Sequence, residues 1–491
     1  MVSNPTITVI CPAFNSESTI KKTISSLLDQ EILDRGINIE ILIIDDHSTD
    51  NTISLVQEFI IRNDSITLVS LKKNTGSPST PRNIGIQLSR SPYIMFLDSD
   101  DYLDNEALSI LYDILQKTGD DYVVGKTIEL SDKGTRVIGE WQSDKERRSL
   151  SPFDIPHFFY HMGPVSRMMK TSIIKKNNIY FPAMRFAEDK SFFFDVLLCS
   201  KRVSTTTHVI TYVNRYNSNN SSLTRTVSML EKRPYDLALM RKIKEKHLPK
   251  EQEIPLMVRL FEYDILRKFK TKTFLKAVDK QPYFEILSEA LTIVNDLSYN
   301  IRDYIWDPIH NIALTLFLQN RNEDFVELYR WAKNEKIKDV EFIDNNPCMV
   351  VPHLEAPLCY APLKIYSLLD SISPCNNNIV LTINVYGDQP EYSRVVRIKD
   401  RLSYNNELLV LAEETGDAQL FVTLPFKQLQ TLKPASYAIR LKHHSFRYAT
   451  ISTKENIELS FNLAKKTFFF YTTIEGNLGL KVSSINNAHN E

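Results

Sequence analysis

Over roughly the first quarter of the chain, apolar residues gather in short continuous runs, and each run is followed by apolar positions at helical spacing. The runs are ITVICPAF (7–14), IEILIID (39–45), ITLVSL (66–71) and YIMFLD (93–98). They are rich in β-branched residues and do not alternate with polar ones, which predicts strands covered on both faces, as in a parallel sheet. Between them, Ile20, Ile24, Leu27 and Leu28 recur at helical spacing, as do Ile53, Val56 and Ile60. Pro81 is suited to the first position of a third helix. Strand and helix in alternation predict a doubly wound α/β domain, in which ligands bind beyond the carboxyl ends of the strands. Residues just after each run therefore carry the functional weight.

The period then changes twice. From about residue 230 to 338 glycine is scarce and amphipathic stretches such as LFEYDILRKF (260–269) predict helices. Beyond 345, prolines cluster between Pro347 and Pro374. Short runs follow: IVLTINVY (379–386), LFVTLPF (420–426), YAIRLKHH (437–444) and KTFFFYTTI (466–474). Strands at that spacing predict an all-β, sandwich-like domain. The expected organisation is a catalytic α/β domain over 1–229, a helical linker domain over 230–345 and a β-rich assembly domain over 346–491. Three domains also suit a chain of 491 residues.

Composition narrows the class. Hydrophobic residues at 43% and charged residues at 24% describe an ordinary globular protein, which excludes collagen-like and disordered chains. Lys+Arg 59 against Asp+Glu 60 leaves a net charge of -1, so no global field draws the chain to nucleic acid or an anionic membrane. The expectation is no nucleic-acid partner and at most peripheral membrane association. Five cysteines without a CxxC pair argue against a disulfide framework or a cysteine zinc site. No segment has the ~18 apolar residues of a membrane span, and the N-terminus lacks a basic n-region with a cleavable apolar stretch. Together these predict a cytoplasmic protein, at most lying at the inner face of the membrane.

Four strand-end clusters carry candidate chemistry. CPAFN (11–15) follows the first run, where Pro12 stiffens the backbone and Phe14 offers a flat face to a base. DDHSTD (45–50) follows the second; its carboxylates can accept from a base N–H and ribose hydroxyls, while Ser48 and Asp50 are also suited to capping the next helix. NTGSPSTPRN (74–83) follows the third and leads into a helix whose N-terminus can face phosphate, although a plain connecting loop has the same composition. DSDD (98–101) follows the fourth. Carboxylates crowded at a sheet edge repel one another, and a hard divalent cation carrying two phosphates relieves that repulsion; an acidic turn capping the next helix accounts for Asp101 but not for Asp98.

This ordered set resembles the N-terminal domain of family 2 glycosyltransferases of the GT-A fold, inverting enzymes that use nucleotide-diphosphosugars. The resemblance covers roughly the first 220 residues. It implies that Pro12, Phe14, Asn15 and Asp46 hold the nucleoside, that Arg82 and Asn83 line the donor site, and that Asp98, Ser99 and Asp100 form the metal motif. Asn74 and Arg215 complete the donor-binding set. Asp98 and Asp100 would be the ligands of Mn²⁺ or Mg²⁺. Phe14 replaces the commoner Tyr of the motif and keeps the stacking face.

A second block, GPVSRMMKTSIIKKNNIYFPAMRFAEDKSFF (163–193), is similar to a segment of the bacterial wall teichoic acid enzymes that transfer N-acetylglucosamine to poly(ribitol phosphate). The resemblance implies a UDP-sugar donor, that polymer as acceptor, and Asp189 as the base that deprotonates the attacking hydroxyl. An acidic pair favoured by a helix N-terminus is the plainer account of Glu188 and Asp189. In RYNSNNSS (215–222), Arg215 suits a diphosphate, and Asn219 or Asn220 stands where many relatives carry a metal-binding histidine, with His208 lying earlier. The basic stretches RKIKEKHLPK (241–250) and RKFKTKTFLK (267–276) fit either a phosphate grip or a solvated helix face. By resemblance in texture, the C-terminal domain implies a homotrimer. Two other readings stand beside this one: the same chemistry on a capsular polysaccharide or glycolipid, and a non-catalytic carbohydrate-binding assembly protein. Intact Asp100 and Asp189 favour the enzyme.

Overall fold

The computed structural model describes residues 5–216, 228–387, 394–414, 418–443 and 447–485. Backbone contacts divide the chain into two compact units, residues 1–265 with 279–304 and residues 266–278 with 305–491. The helical stretch is thus shared between them.

The first unit is built on a ten-stranded sheet. Strands β1 (Ile7–Ala13), β2 (Ile39–Asp45), β3 (Ile66–Ser70) and β4 (Tyr93–Phe96) lie in the order β3-β2-β1-β4, all parallel. Their side chains are buried on both faces in β1, β2 and β4, as continuous apolar runs require. Further strands extend the sheet beyond β4: β5 (Tyr102–Leu103), β6 (Tyr122–Ser131), β7 (Gly134–Ile138), β8 (Arg147–Leu150), β9 (Arg167–Lys170) and β10 (Val203–Asn214). β9 runs antiparallel to both β4 and β6, while β6 and β10 pair in parallel. The sheet is of GT-A type and mixed rather than mostly parallel: parallel across β3-β2-β1-β4 and between β6 and β10, antiparallel at its other pairings.

Helices α1 (Ile20–Leu28), α2 (Thr52–Ile60), α3 (Ser79–Leu88) and α4 (Ala107–Thr118) return the chain between strands. α3 begins at Ser79, two residues before Pro81, so the proline occupies the third helical position and not the first. A Cβ on Gly85 would come within 2.5 Å of the Ile10 side chain. The glycine therefore lets α3 lie close against β1, one turn after Arg82. Because β2 and β4 flank β1 on opposite sides, the chain reverses direction of winding there, opening the crevice expected at a switch point. Helices α5 (Thr171–Lys176) and α6 (Glu188–Cys199) complete this side.

The stretch 260–269 is not the single regular helix its periodicity predicts. Arg259–Ile265 forms a π-helix and Leu266–Lys270 a 3₁₀ turn. Five-residue spacing stacks Arg259 over Asp264, and the pair meets at 2.5 Å, both side chains buried. In the second unit, strands including Asn378–Gly387, Gln419–Pro425, Ala435–His443 and Lys466–Thr472 belong to an eleven-stranded sheet system. They enclose a core that includes Leu381, Val422, Ile439, Leu441 and Phe470. Phe426 leaves the strand read from the sequence and opens a short helix, Phe426–Leu429.

Candidate active site

The strand ends of the first unit converge as their order suggests. Asp46 N–H donates to the carbonyl of Ala13 at 2.8 Å, tying the end of β2 to that of β1. Pro12 is buried within β1, and Phe14 beyond it is 47% exposed. Asn15 takes a left-handed backbone (φ 46°). Its N–H donates to Ser48 Oγ at 2.9 Å and its Oδ1 accepts from Thr49 N–H at 2.8 Å, so it secures the loop after β2. Asp46 accepts from the Thr75 N–H at 3.0 and 3.1 Å and from Thr75 Oγ1 at 3.0 Å. Asn74 donates to the Asp46 carbonyl at 3.2 Å. The Gly/Pro/Ser loop is thereby fastened to the acidic loop. Asp50 caps locally, accepting from Thr52 N–H at 3.0 Å. Ser99 shares a 2.7 Å hydrogen bond with Ser16 Oγ.

Arg82 is the centre of the site. It projects from α3, only 2% exposed, with Nη2 donating to Asp98 at 2.8 Å and Nη1 to Asp189 at 2.7 Å. Glu188 lies 3.8 Å from Nη1. One guanidinium thus joins the end of β4 to the first turn of α6. Asn83, the next residue, instead holds backbone: its Nδ2 donates to the Phe181 carbonyl and its Oδ1 accepts from the Phe181 N–H, each at 2.8 Å. Asp100 sits 3.6 Å from Arg215, and Asp101 accepts from the Asn214 N–H at 3.0 Å. The candidates Asn219 and Asn220 lie outside the described residues. His208 is exposed on β10, 2.9 Å from Thr206 Oγ1.

Charge in this cleft is lopsided. Burial, then Asp100 and Asp98, drives the Asp101 carboxyl well above its ordinary value. Burial and the same aspartates lift the Cys11 thiol. Glu188 is pushed up to about 8, first by burial and then by Asp189, with Arg82 pulling back. Burial also raises Asp189, opposed by Arg82, while 26% of its side chain stays open to solvent. A raised carboxyl at a partly open position suits proton abstraction near neutrality. Among the described residues, no three His, Cys, Asp or Glu side chains converge to hold a metal by themselves. The hard oxygens of Asp98 and Asp100 fit a divalent cation whose remaining ligands come from a diphosphate and water.

Sequence reasoning missed Arg167. This guanidinium is fully buried on β9, with no carboxylate at ion-pair distance among the described residues. It donates to the carbonyls of Val165 and His161 at 3.1 and 3.2 Å and lies 4.7 Å over the Phe193 ring. Burial lowers its pKa, Tyr122 and Asp189 oppose that, and its charge adds positive field at Asp189. A lone charge inside VSRMM was its only signal.

A second charged cluster backs the first. Lys190, next to Asp189, pairs with Asp236 and, at 3.0 Å, with Asp264. Arg233 meets Asp236 at 2.8 Å, and Arg259 meets Asp264. These ion pairs bind the start of α6 to the helix Met229–Glu245 and to the π-helix.

A GT-A sheet whose switch-point crevice joins DSD to an acidic helix N-terminus frames this site, and residues 8–176 match the family model described as glycosyl transferase family 2. That match spans about a third of the chain. The chain is 35% identical over 221 residues to the poly(ribitol-phosphate) beta-N-acetylglucosaminyltransferase TarP of Staphylococcus aureus, covering 44% of this chain and 64% of that enzyme. It is 28% identical over 201 residues to the poly(ribitol-phosphate) beta-glucosyltransferase of Bacillus spizizenii, covering 40% of this chain and 30% of that one. The chain therefore spans less than two thirds of the length of these curated relatives. The crystal structure of S. aureus TarS shares its fold, with a TM-score of 0.61 at 16% identity over 98% of this chain and 86% of that chain.

Proposed function

We propose that the protein is an inverting, metal-dependent glycosyltransferase that moves N-acetylglucosamine, in β-linkage, from its UDP donor to ribitol hydroxyls of wall teichoic acid poly(ribitol phosphate). The observation that carries this reading is the two-sided ion pair of Arg82, which brings Asp98 of the DSD sequence and Asp189 into one site. Two relatives named for transfer to poly(ribitol phosphate) support the acceptor. They differ in the sugar.

In the proposed reaction, the acceptor hydroxyl attacks the anomeric carbon from the face opposite UDP. The bond to the diphosphate breaks, and the hydroxyl proton passes to Asp189. Arg82 occupies Oδ1 of Asp189, which leaves Oδ2 for the proton. Phe14 offers its exposed ring to the uracil. Asp98 and Asp100 would hold Mg²⁺ or Mn²⁺, which when bound neutralises charge on the leaving diphosphate. Arg215 adds a further cation beside Asp100. The helices among the described residues include none long and apolar enough to cross a membrane. This is consistent with action from the cytoplasmic side, at most peripheral to the membrane. The β-rich region over 346–491 is read as an assembly module that makes a homotrimer.

The test is a panel of UDP-sugars incubated with the purified chain, with and without poly(ribitol phosphate), in Mn²⁺, Mg²⁺ or excess chelator. Polymer-dependent release of UDP from UDP-N-acetylglucosamine, lost in chelator, is expected, with β-linkage read by NMR. Transfer only to unrelated acceptors would overturn the acceptor, and undiminished turnover in chelator would remove the metal. Light scattering on the full chain reads the trimer.

A further inference from the structure

A cavity of about 510 Å³ lies along α6 beyond the base, a size typical of small-molecule sites. Ser191 and Asp195 line it from α6, Lys242 and Lys246 from the helix Met229–Glu245 and the residue after it, and Asn178 and Tyr180 from the segment before α6. Ser191 and Asp195 follow Asp189 by two and six residues, so they stand ~3 Å and ~9 Å further along the helix axis. Tyr180 is 64% exposed at the rim.

Most of the basic stretch 241–250 is not a free phosphate grip. Arg241 pairs with Glu289, and Lys244 pairs with Asp296 at 2.6 Å. Lys242 and Lys246 differ, because they share one carboxylate. Lys242 Nζ meets Ser191 Oγ at 2.8 Å and Asp195 Oδ2 at 2.6 Å, while Lys246 Nζ lies 3.1 Å from Asp195 Oδ1. Two ammonium groups and one carboxylate leave a positive charge to be matched. Asp195 Oδ1 is buried, and although Lys246 Nζ lies 3.1 Å away it takes no aligned hydrogen bond among the described residues, which leaves an acceptor direction for an incoming donor. An anion beside a hydroxyl answers both demands.

We infer that this cavity is an acceptor subsite for a polyol phosphate unit neighbouring the one whose hydroxyl meets Asp189. Lys242 and Lys246 take the phosphate, Asp195 Oδ1 accepts from a polyol hydroxyl, and Tyr180 packs along the carbon chain. The inference rests on the acceptor proposed above. It adds a place where polymer length is sensed, apart from the reacting centre.

The test compares the full-length protein with Lys246→Gln, Tyr180→Ala and the double variant, on long poly(ribitol phosphate) and on a single ribitol phosphate repeat. The KM for the polymer should rise about tenfold in the double variant, the loss of one charge-assisted contact, with kcat at saturating polymer and KM for the single repeat unchanged. Polymer KM within about twofold of wild type in all variants would overturn the subsite, as would an equal rise for both acceptors. Should Lys246→Gln unfold, the exposed Tyr180→Ala alone decides by the same KM comparison. Wild-type protein that transfers to neither ribitol phosphate acceptor removes the proposed function, and the subsite with it. Active wild type with insensitive variants removes the subsite alone.

Discussion

Asp189 and Lys190 are neighbours in the first turn of α6, yet they enter two different charged clusters. In front, among the described residues, Arg82 alone makes ion pairs with Asp98, Glu188 and Asp189, while Arg167 adds only its field to Asp189. Behind, Lys190, Arg233 and Arg259 interlock with Asp236 and Asp264. Burial lifts Asp236 even there, but Lys190 and Arg233 both oppose it. The rear cluster sets three cations against two carboxylates, each carboxylate held by two of them, as in a structural anchor. The front one is left short of positive charge: burial pushes Glu188, Asp189 and Asp101 up, and neighbouring carboxylates add to the rise. Imbalance of this kind separates a site built for an incoming ligand from one built for stability.

The comparison breaks most sharply at Arg82. Arg82→Met leaves three crowded carboxyls without their cation, so turnover should fall by about 10³-fold and stability by about 3–5 kcal/mol. UDP-sugar kinetics with chemical denaturation checks both, and full activity would mean that the front cluster is not the site. Asp189→Asn comes next. Turnover should drop about 10²-fold or more while UDP-sugar affinity, read by calorimetry, stays near wild type; lost affinity with unchanged turnover would make Asp189 a binding residue.

Lys190→Met sharpens the contrast from the other side. Stability should fall by about 2 kcal/mol, below the range for a fully buried pair because Lys190 is 17% exposed. Its turnover should change only severalfold, and a loss as deep as that of Asp189→Asn would erase the distinction between the clusters. The smallest effect belongs to Glu188. Its carboxyl sits near 8 in the folded chain against an ordinary 4.5, so between those pH values the folded state keeps a proton that the unfolded state releases. Stability should therefore decline as pH rises through that window, by about 1 kcal/mol or more. Glu188→Gln should flatten the decline, and melting curves at pH 5 and pH 8 for both proteins measure it.

Much of the first unit is legible in the sequence because continuous apolar runs leave few options. β2 spans the residues read from its run, and β1, β3 and β4 stop one or two residues short. Strand ends locate Asp46, Asp98 and Arg82, but not what they touch. Asp46 is engaged by Thr75 and Asn83 by the Phe181 backbone, partners 29 and 98 residues away that local pattern cannot reveal. Arg167 escapes notice for a similar reason, since one arginine in a strand usually marks a solvent face. The π-turn is hidden because the apolar period of 260–269 fits a regular helix. The Arg259–Asp264 pair, five residues apart, fits the wider turn.

The two-way amide of Asn83 has a mechanical meaning. Residues 82 and 83 fasten α3 both to the first turn of α6 and to the segment through Phe181, so these walls of the crevice form one frame. Whatever opens to admit substrate must swing from elsewhere on this frame. The Phe181 amide, locked by a side chain and not by a neighbouring strand, should then be among the last in its segment to exchange its hydrogen with solvent.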